Sequence, residues 1–333
     1  RLSFFLVIFW DVVMPFYDVF NGDADGICAL IQLHLAEPRQ ATLVTGVKRD
    51  ISLVKQVPVA SGAKVTVLDI SLEKNREAVD ALLAAGAEVF YVDHHFPGDS
   101  LPQAPHFTAL IDTQPTTCTS LLVDAHLNGR YRNWAITAAF GDNLNAVATK
   151  LAQQAGLTEQ QTTALQQLGV CINYNGYGAA LADLHFHPAE LFRCFVQYED
   201  PLTLLAAEPE AWAVLRQGYQ DDMARGLAAP ALHDSASCLL VKLPDEPWAR
   251  RVSGVLGNEL ANQHPSKACA IVTDNPGGDY LVSIRAPLQN RQGAVAVARQ
   301  FATGGGREAA AGINALPVDQ LDALINVMNA TWA

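Results

Sequence analysis

Short apolar runs alternate with helical segments along the first hundred residues, and three of those runs close on acids. Residues 16–20, 41–47, 64–70 and 88–92 are rich in Val, Leu and aromatics, whereas 25–36 and 72–85 carry apolar residues at helical spacing. A βαβα order predicts an α/β fold built on a parallel sheet covered by helices, and ligands of such open sheets bind just beyond the carboxyl ends of the strands. Asp23, Asp25, Asp69, Asp93, His94 and His95 all fall at such ends. Each Asp taken singly reads as a helix cap. Gathered at neighbouring strand ends, however, like charges repel and resist desolvation, so the cluster is tolerable only if cations neutralise it. The coincidence of three strand ends, one carrying a His pair, points to a metal centre. Gly22 and Gly26 suit the tight strand-to-helix turn that brings backbone close to a ligand.

With 333 residues, half of them hydrophobic, the chain can bury two cores. The apolar start, 1–13, reads as an upstream segment outside the native fold, since 2–10 is too short to span a bilayer and lacks a small-residue cleavage site. Residues 14–190 are expected to form the metal-binding domain and 191–235 a helical linker. A smaller α/β domain follows over 236–333, with strands at 237–243, 268–274 and 280–286 and helices at 250–263, 294–301 and 319–328. In that second domain Gly304, Gly305 and Gly306 leave backbone N–H groups unobstructed, as a phosphate nest requires, and Arg285 and Arg307 could reach the same anion. Metals on one wall of an interdomain cleft and anion donors on the other is the expected arrangement.

These residues resemble the DHH phosphoesterase family, named for the triplet seen here as Asp93-His94-His95. Its first motif is matched by Asp23-Ala24-Asp25-Gly26, its second by Asp69, and a fourth by Asp142 after an apolar helix. The run from Gly304 to Gly312 is similar to the GGG-H-x-x-AAG signature of the family's associated C-terminal domain. The resemblance spans nearly the whole chain, with five motifs in order. It implies two divalent ions, manganese with magnesium as the alternative. Asp69 would bridge them, Asp23 would serve one, and Asp25, His94 and Asp142 the other. Two ions roughly 3.5 to 4 Å apart would activate water and stabilise both oxygens of an in-line displacement. His95 would contact the phosphate or protonate the leaving oxygen, its alternative being to hold Asp93 in place. Two departures stand out. Asn21 occupies a position where many relatives carry His or Asp, so it offers a neutral oxygen and a weaker first metal site. Arg307 stands where many have His, adding a permanent phosphate donor.

Other features invite the plainer reading. His185 and His187 lack a Cys or acidic partner and read as structural. Residues 173–178 read as a Gly-rich turn between helices, and Thr116 to Ser120 as a helix cap. Lys48 and Arg49 read as solvated rim charges. Six scattered cysteines without a C-x-x-C pair indicate neither zinc nor a disulfide framework, which fits a reducing cytoplasm. The net charge of −12 and the lack of a basic run favour a short oligonucleotide, nucleotide or polyphosphate substrate over long duplex nucleic acid, which is gripped by many phosphate contacts. No membrane partner is expected, and a homodimer is left open. The reading that follows is a metal-dependent hydrolase of short oligonucleotides or nucleotide phosphates. Exopolyphosphatase-like anhydride hydrolysis and a nucleotide-binding regulator with weakened catalysis are the alternatives.

Overall fold

The computed structural model describes residues 14–333, so the expectation for the apolar start, 1–13, lies outside the described residues. The first half runs β1 (Phe16–Phe20), α1 (Ala24–Ala36), β2 (Thr42–Val44), β3 (Lys64–Leu68), α2 (Leu72–Ala84), β4 (Glu88–Asp93) and β5 (Phe107–Ile111). The five strands form one parallel sheet in the order β2-β1-β3-β4-β5. Register decides where the acids go. Phe20 pairs with Leu68 and Leu68 with Val92, and the ladder continues through Asn21 N–H to Leu68 C=O (3.2 Å) and Asp69 N–H to Val92 C=O (3.0 Å). The residues that leave β1, β3 and β4 are therefore level with one another.

Seven helices follow: α3 (Thr119–His126), α4 (Arg132–Gly141), α5 (Asn145–Gln154), α6 (Glu159–Gly176), α7 (Pro188–Phe195), α8 (Pro201–Ala207) and α9 (Glu210–Leu227). α1 is buried from Ala24 to Leu33 because it is wrapped by the sheet and by α3, α4, α6 and α7. Its Ile27 and Leu30 share a core with Phe20, Trp134, Phe192 and Trp212, each such side chain contributing about 1.5–3 kcal/mol by leaving water. The stretch 191–235, expected as a helical linker, supplies Phe195, Leu204 and Leu215 to that same cluster. Residues 173–176, expected in a turn, are instead the buried last turn of α6. Tertiary packing outweighs the weak helix preference of Asn, Tyr and Gly there.

The second sheet is assembled from β6 (Ala231–Asp234), β7 (Cys238–Leu243), β8 (Ala268–Asp274), β9 (Tyr280–Arg285), β10 (Gly304–Gly306) and β11 (Ala310–Leu316), in the order β10-β11-β9-β8-β7-β6. β7 and β8 are parallel, joined by α10 (Pro247–Gln263), and every other pair is antiparallel. α11 (Ala294–Ala298) and α12 (Leu321–Trp332) complete this half. α10 packs on its own sheet and on α6 and α9, placing Val252, Leu256 and Ile271 in one apolar cluster with Tyr174, Tyr177 and Met223. Polar pairs frame that junction. Arg250 grips Asp183 with two bonds (2.8 and 2.9 Å), and Arg251 donates to Asp222 (2.9 Å) and the Tyr174 hydroxyl (3.1 Å).

His187 caps α7 by accepting the Ala189 N–H, and His185 lies 2.8 Å from the Tyr174 hydroxyl, so both serve structure. All six cysteines are free thiols. Among the described residues no helix is long and apolar enough to cross a membrane.

α4 and α6 cross closely enough that a Cβ added at Gly169 would come within 2.0 Å of the Thr137 carbonyl oxygen. Backbone on both sides leaves little room to relax. Gly169→Ala is expected to destabilise the fold by about 1–3 kcal/mol, read as a lower midpoint in urea at unchanged slope.

Candidate metal centre

The turn from β1 into α1 is built by its own side chains. Asn21 accepts the Asp23 N–H (3.2 Å) and donates its amide to the Lys48 carbonyl (3.2 Å). Asp23 caps α1, its Oδ1 accepting from the N–H groups of Asp25 (3.0 Å) and Gly26 (3.1 Å). Gly22 is required by close approach, since a Cβ there would lie 1.9 Å from the Gly46 carbonyl oxygen. Asp25 points the other way, into the start of α3, where its two oxygens accept the N–H groups of Thr119 and Ser120 (2.7 Å each). This corrects the reading of residues 116–120 as a self-capping segment: the cap arrives from α1. The Thr119 hydroxyl is thereby free to face Asp69 Oδ1 at 3.4 Å.

Asp69 follows β3 with φ of +58°, a left-handed conformation that few residues other than glycine, asparagine and aspartate adopt. Such strain is retained where surrounding structure enforces it, and it gathers at functional sites. After β4, His94 Nδ1 lies 3.1 Å from the Thr117 carbonyl oxygen and must donate to it. Nε2 then presents its lone pair 3.3 Å from Asp69 Oδ1, 3.8 Å from Asp25 Oδ2 and 4.0 Å from Asp142 Oδ2. Fixing one imidazole nitrogen by a carbonyl so that the other can ligate is the usual arrangement at metal sites. Asp93 is fully buried. Its Oδ1 accepts the His94 N–H (2.8 Å) and stands 2.7 Å from His95 Nδ1, while its Oδ2 has no hydrogen-bond partner among the described residues. His95 is one-third exposed, and Asp142 ends α4 with its carboxylate in the cluster.

Two cations meet these acids. Lys48 Nζ lies 2.5 Å from Asp23 Oδ2, 3.1 Å from Asn173 Oδ1 and 3.7 Å from Asp142 Oδ1, correcting the reading of Lys48 as a solvated rim charge. Arg49 departs from that reading too, bonding Ser283 (3.1 Å) and Asn314 (2.7 Å) on the second sheet. Arg307 comes from the other half, with Nη2 3.8 Å from Asp142 Oδ2 and Nη1 3.4 Å from both ring nitrogens of His94. It stands at the tip of the hairpin between β10 and β11. Gly304, Gly305 and Gly306 form the edge strand of that hairpin, and the Gly304 N–H already donates to Phe301 C=O (2.9 Å). The triplet's local form is therefore a strand, and open space surrounds only Gly305 of the three. Arg285 is turned onto α10, donating to Asn258 Oδ1 (2.6 Å) and the Gly254 carbonyl (3.2 Å). Sequence reasoning missed Lys48 and Asn173. The signal for Lys48 was its place just beyond β2, on the same sheet edge as the acids.

Charge divides the carboxylates into two groups. Burial works to raise Asp23 and Asp142, but Lys48 holds Asp23 below its usual range, and Arg307 with Lys48 draws Asp142 down to about 2. Burial raises Asp25 despite His94, and burial together with the charges of Asp23 and Asp25 pushes Asp69 well above the carboxylate range. Among the described residues no lysine or arginine pairs with either member of the second group. Ligand atoms of Asp25, His94 and Asp142, and of Asp69, His94 and His95, each fall within 4.8 Å of one another. Buried carboxylates without a counter-charge, an oriented imidazole and an unpartnered Asp93 oxygen fit a divalent ion of mixed nitrogen and oxygen preference.

No protein-family model matches the sequence, and no curated protein matches it. Solved structures do. A DHH-domain protein described as a member of the s1p family of ribosomal proteins superposes with a TM-score of 0.63 at 13% identity, over 96% of this chain and 86% of that one. RecJ from Thermus thermophilus, solved in complex with Mn2+, gives 0.57 at 16% identity, over 95% of this chain and 52% of that one. The chain has the fold of these DHH-domain structures. A third DHH-fold neighbour, the pGpG-specific phosphodiesterase PggH from Vibrio cholerae, gives 0.54 at 12% identity, over 95% of this chain and 99% of that one.

The strained, uncompensated Asp69 has a measurable cost in this DHH fold. Asparagine keeps the shape and the tolerance of the left-handed conformation while removing a carboxyl whose ionisation burial and the neighbouring acids disfavour. Asp69→Asn is expected to raise the melting temperature of chelator-treated protein by roughly 2–3 °C, while abolishing stabilisation by added Mn2+.

Proposed function

We propose that this protein is a manganese-dependent phosphoester hydrolase acting on short oligonucleotides or nucleotide phosphates. The observation that carries the reading is the meeting, across the two halves, of His94 and three carboxylates, Asp25, Asp69 and Asp142, with Arg307. A divalent ion bound by Asp25, Asp69, His94 and Asp142 supplies Lewis-acid polarisation of a phosphoryl group and activation of water. Mixed imidazole and carboxylate donors favour manganese over magnesium. The RecJ neighbour was solved with Mn2+, and the PggH neighbour is described as acting on a dinucleotide.

The chain's own residues take the remaining roles. Arg307, its side chain half exposed beside Asp142 and His94, binds the non-bridging oxygens of the phosphate through a planar pair of donors. Asp93 Oδ1 holds His95 through Nδ1, leaving Nε2 of that exposed ring to deliver a proton to the departing oxygen. One half-exposed guanidinium at an acidic centre suits a short substrate and offers too few contacts for a long polymer, whose binding requires many. This accords with the net charge of −12. Free, mostly buried thiols support a reducing, cytoplasmic setting.

Incubation of metal-depleted protein with pGpG, other dinucleotides and 3′-phosphoadenosine 5′-phosphate, with and without Mn2+, tests the proposal. Mononucleotide or phosphate release only with the ion is the expected result, and no turnover of any phosphoester by loaded protein would overturn it. Orthophosphate release from polyphosphate alone would move the activity to anhydride hydrolysis. Arg307→Ala is expected to raise KM by about 10- to 100-fold, the loss of one charge-assisted contact. Its Mn2+ affinity should stay within a few-fold of the parent, as measured by calorimetry.

A further inference from the structure

We infer that Lys48 is a built-in cation occupying the Asp23 corner of the centre, so that the chain holds one divalent ion rather than two. The inference rests on the metal-dependent reading above and departs from the pair of ions that the family resemblance implies.

An ion at that corner would draw on Asn21 and Asp23, with Asp69 bridging, by resemblance, and a cation of the protein already stands on Asp23. The Asn21 oxygen accepts the Asp23 N–H, and its amide nitrogen holds the Lys48 carbonyl. Asp23 spends Oδ1 on two N–H groups of α1 and Oδ2 on the Lys48 ammonium. The ammonium, in turn, faces oxygens from three separate elements: Asp23 beyond β1, Asn173 in α6 and Asp142 at the end of α4. Asp23 and Asn173 accept hydrogen bonds from it, and Asp142 Oδ1, at 3.7 Å, adds a charge contact.

Lys48 is also fixed from behind. Its N–H donates to the Gly176 carbonyl (2.8 Å) and its carbonyl accepts from Asn21. Its Nζ lies 5.4 Å from the centre of the Tyr177 ring, a favourable cation–π distance. That ring rests on Gly254 of α10, where an added Cβ would fall 1.9 Å from Tyr177 Cζ. An incoming dication would have to displace a buttressed positive charge from its carboxylate, or sit beside it against repulsion.

The ion that remains has its own donors. His94 brings a single free nitrogen, because Nδ1 is occupied by the Thr117 carbonyl. Both candidate ligand groups, Asp25 with His94 and Asp142, and Asp69 with His94 and His95, include His94, whose Nε2 faces Asp25, Asp69 and Asp142 alike. One imidazole lone pair serves one ion at a time, so the two groups describe a single position rather than two. Asn21 adds no charge of its own at the corner where Lys48 supplies a fixed cation.

Equilibrium dialysis of the metal-depleted full chain against Mn2+, with electron paramagnetic resonance of the loaded protein, decides the matter. Wild type should saturate at one Mn2+ per chain with an uncoupled six-line spectrum. Lys48→Met, which keeps the length and removes the charge, should saturate at two per chain with a spectrum broadened by exchange coupling, and Lys48→Arg should stay at one. Two coupled ions in wild type, or a single ion in Lys48→Met, would overturn the inference while leaving the hydrolase reading intact. No ion in wild type would overturn both. Should Lys48→Met fold poorly, the wild-type stoichiometry and spectrum still decide.

Discussion

Carboxylates buried together must be matched by positive charge, and that requirement organises this molecule. Parallel pairing with Phe20, Leu68 and Val92 in line brings Asp69 and Asp93 to one level beside the β1 turn. Each bond that makes the sheet regular also presses like charges closer. The fold meets the demand from three directions: Lys48 beyond β2, Arg307 from the second sheet, and backbone N–H groups at the start of α1 and α3. What these leave unmatched, around Asp25 and Asp69, is the region suited to a divalent ion.

The balance between stability and chemistry is visible in individual residues. Asp69 is held with positive φ in a buried place where an uncharged side chain would be easier to accommodate. Asp25 is secured by Thr119 and Ser120, so one carboxylate both starts a helix and faces His94. Sharing structural and chemical duties in this way ties the carboxylate to the fold: moving Asp25 would uncap α3.

Much of this was legible in the residues. Runs ending on acids revealed the parallel sheet and its loaded edge, and the triplet from Asp93 to His95, with Asp142, marked the centre. Periodicity could not show pairing partners. Lys48 and Arg49 are neighbours in sequence with the same charge, yet one turns into the acids and the other onto Ser283 and Asn314. Nothing local distinguishes them, because the choice depends on what lies on either side of β2. The glycine triplet carries no strand signal of its own; β10 exists because β11 offers it a ladder. Asn173 looked like part of a turn because α6 continues through residues of weak helical preference under cover of the core.

The short hairpin that carries Arg307 has a consequence for how tightly a small anion can be held. A guanidinium on a floppy loop would surrender its freedom each time it closed on a ligand. Here the Arg307 N–H is paired with Ala310, the Glu308 carboxylate accepts the Gly293 N–H, and the Ala294 N–H donates to the Glu308 carbonyl. Folding has already met most of that entropic cost, so a captured phosphate need only order the end of one side chain.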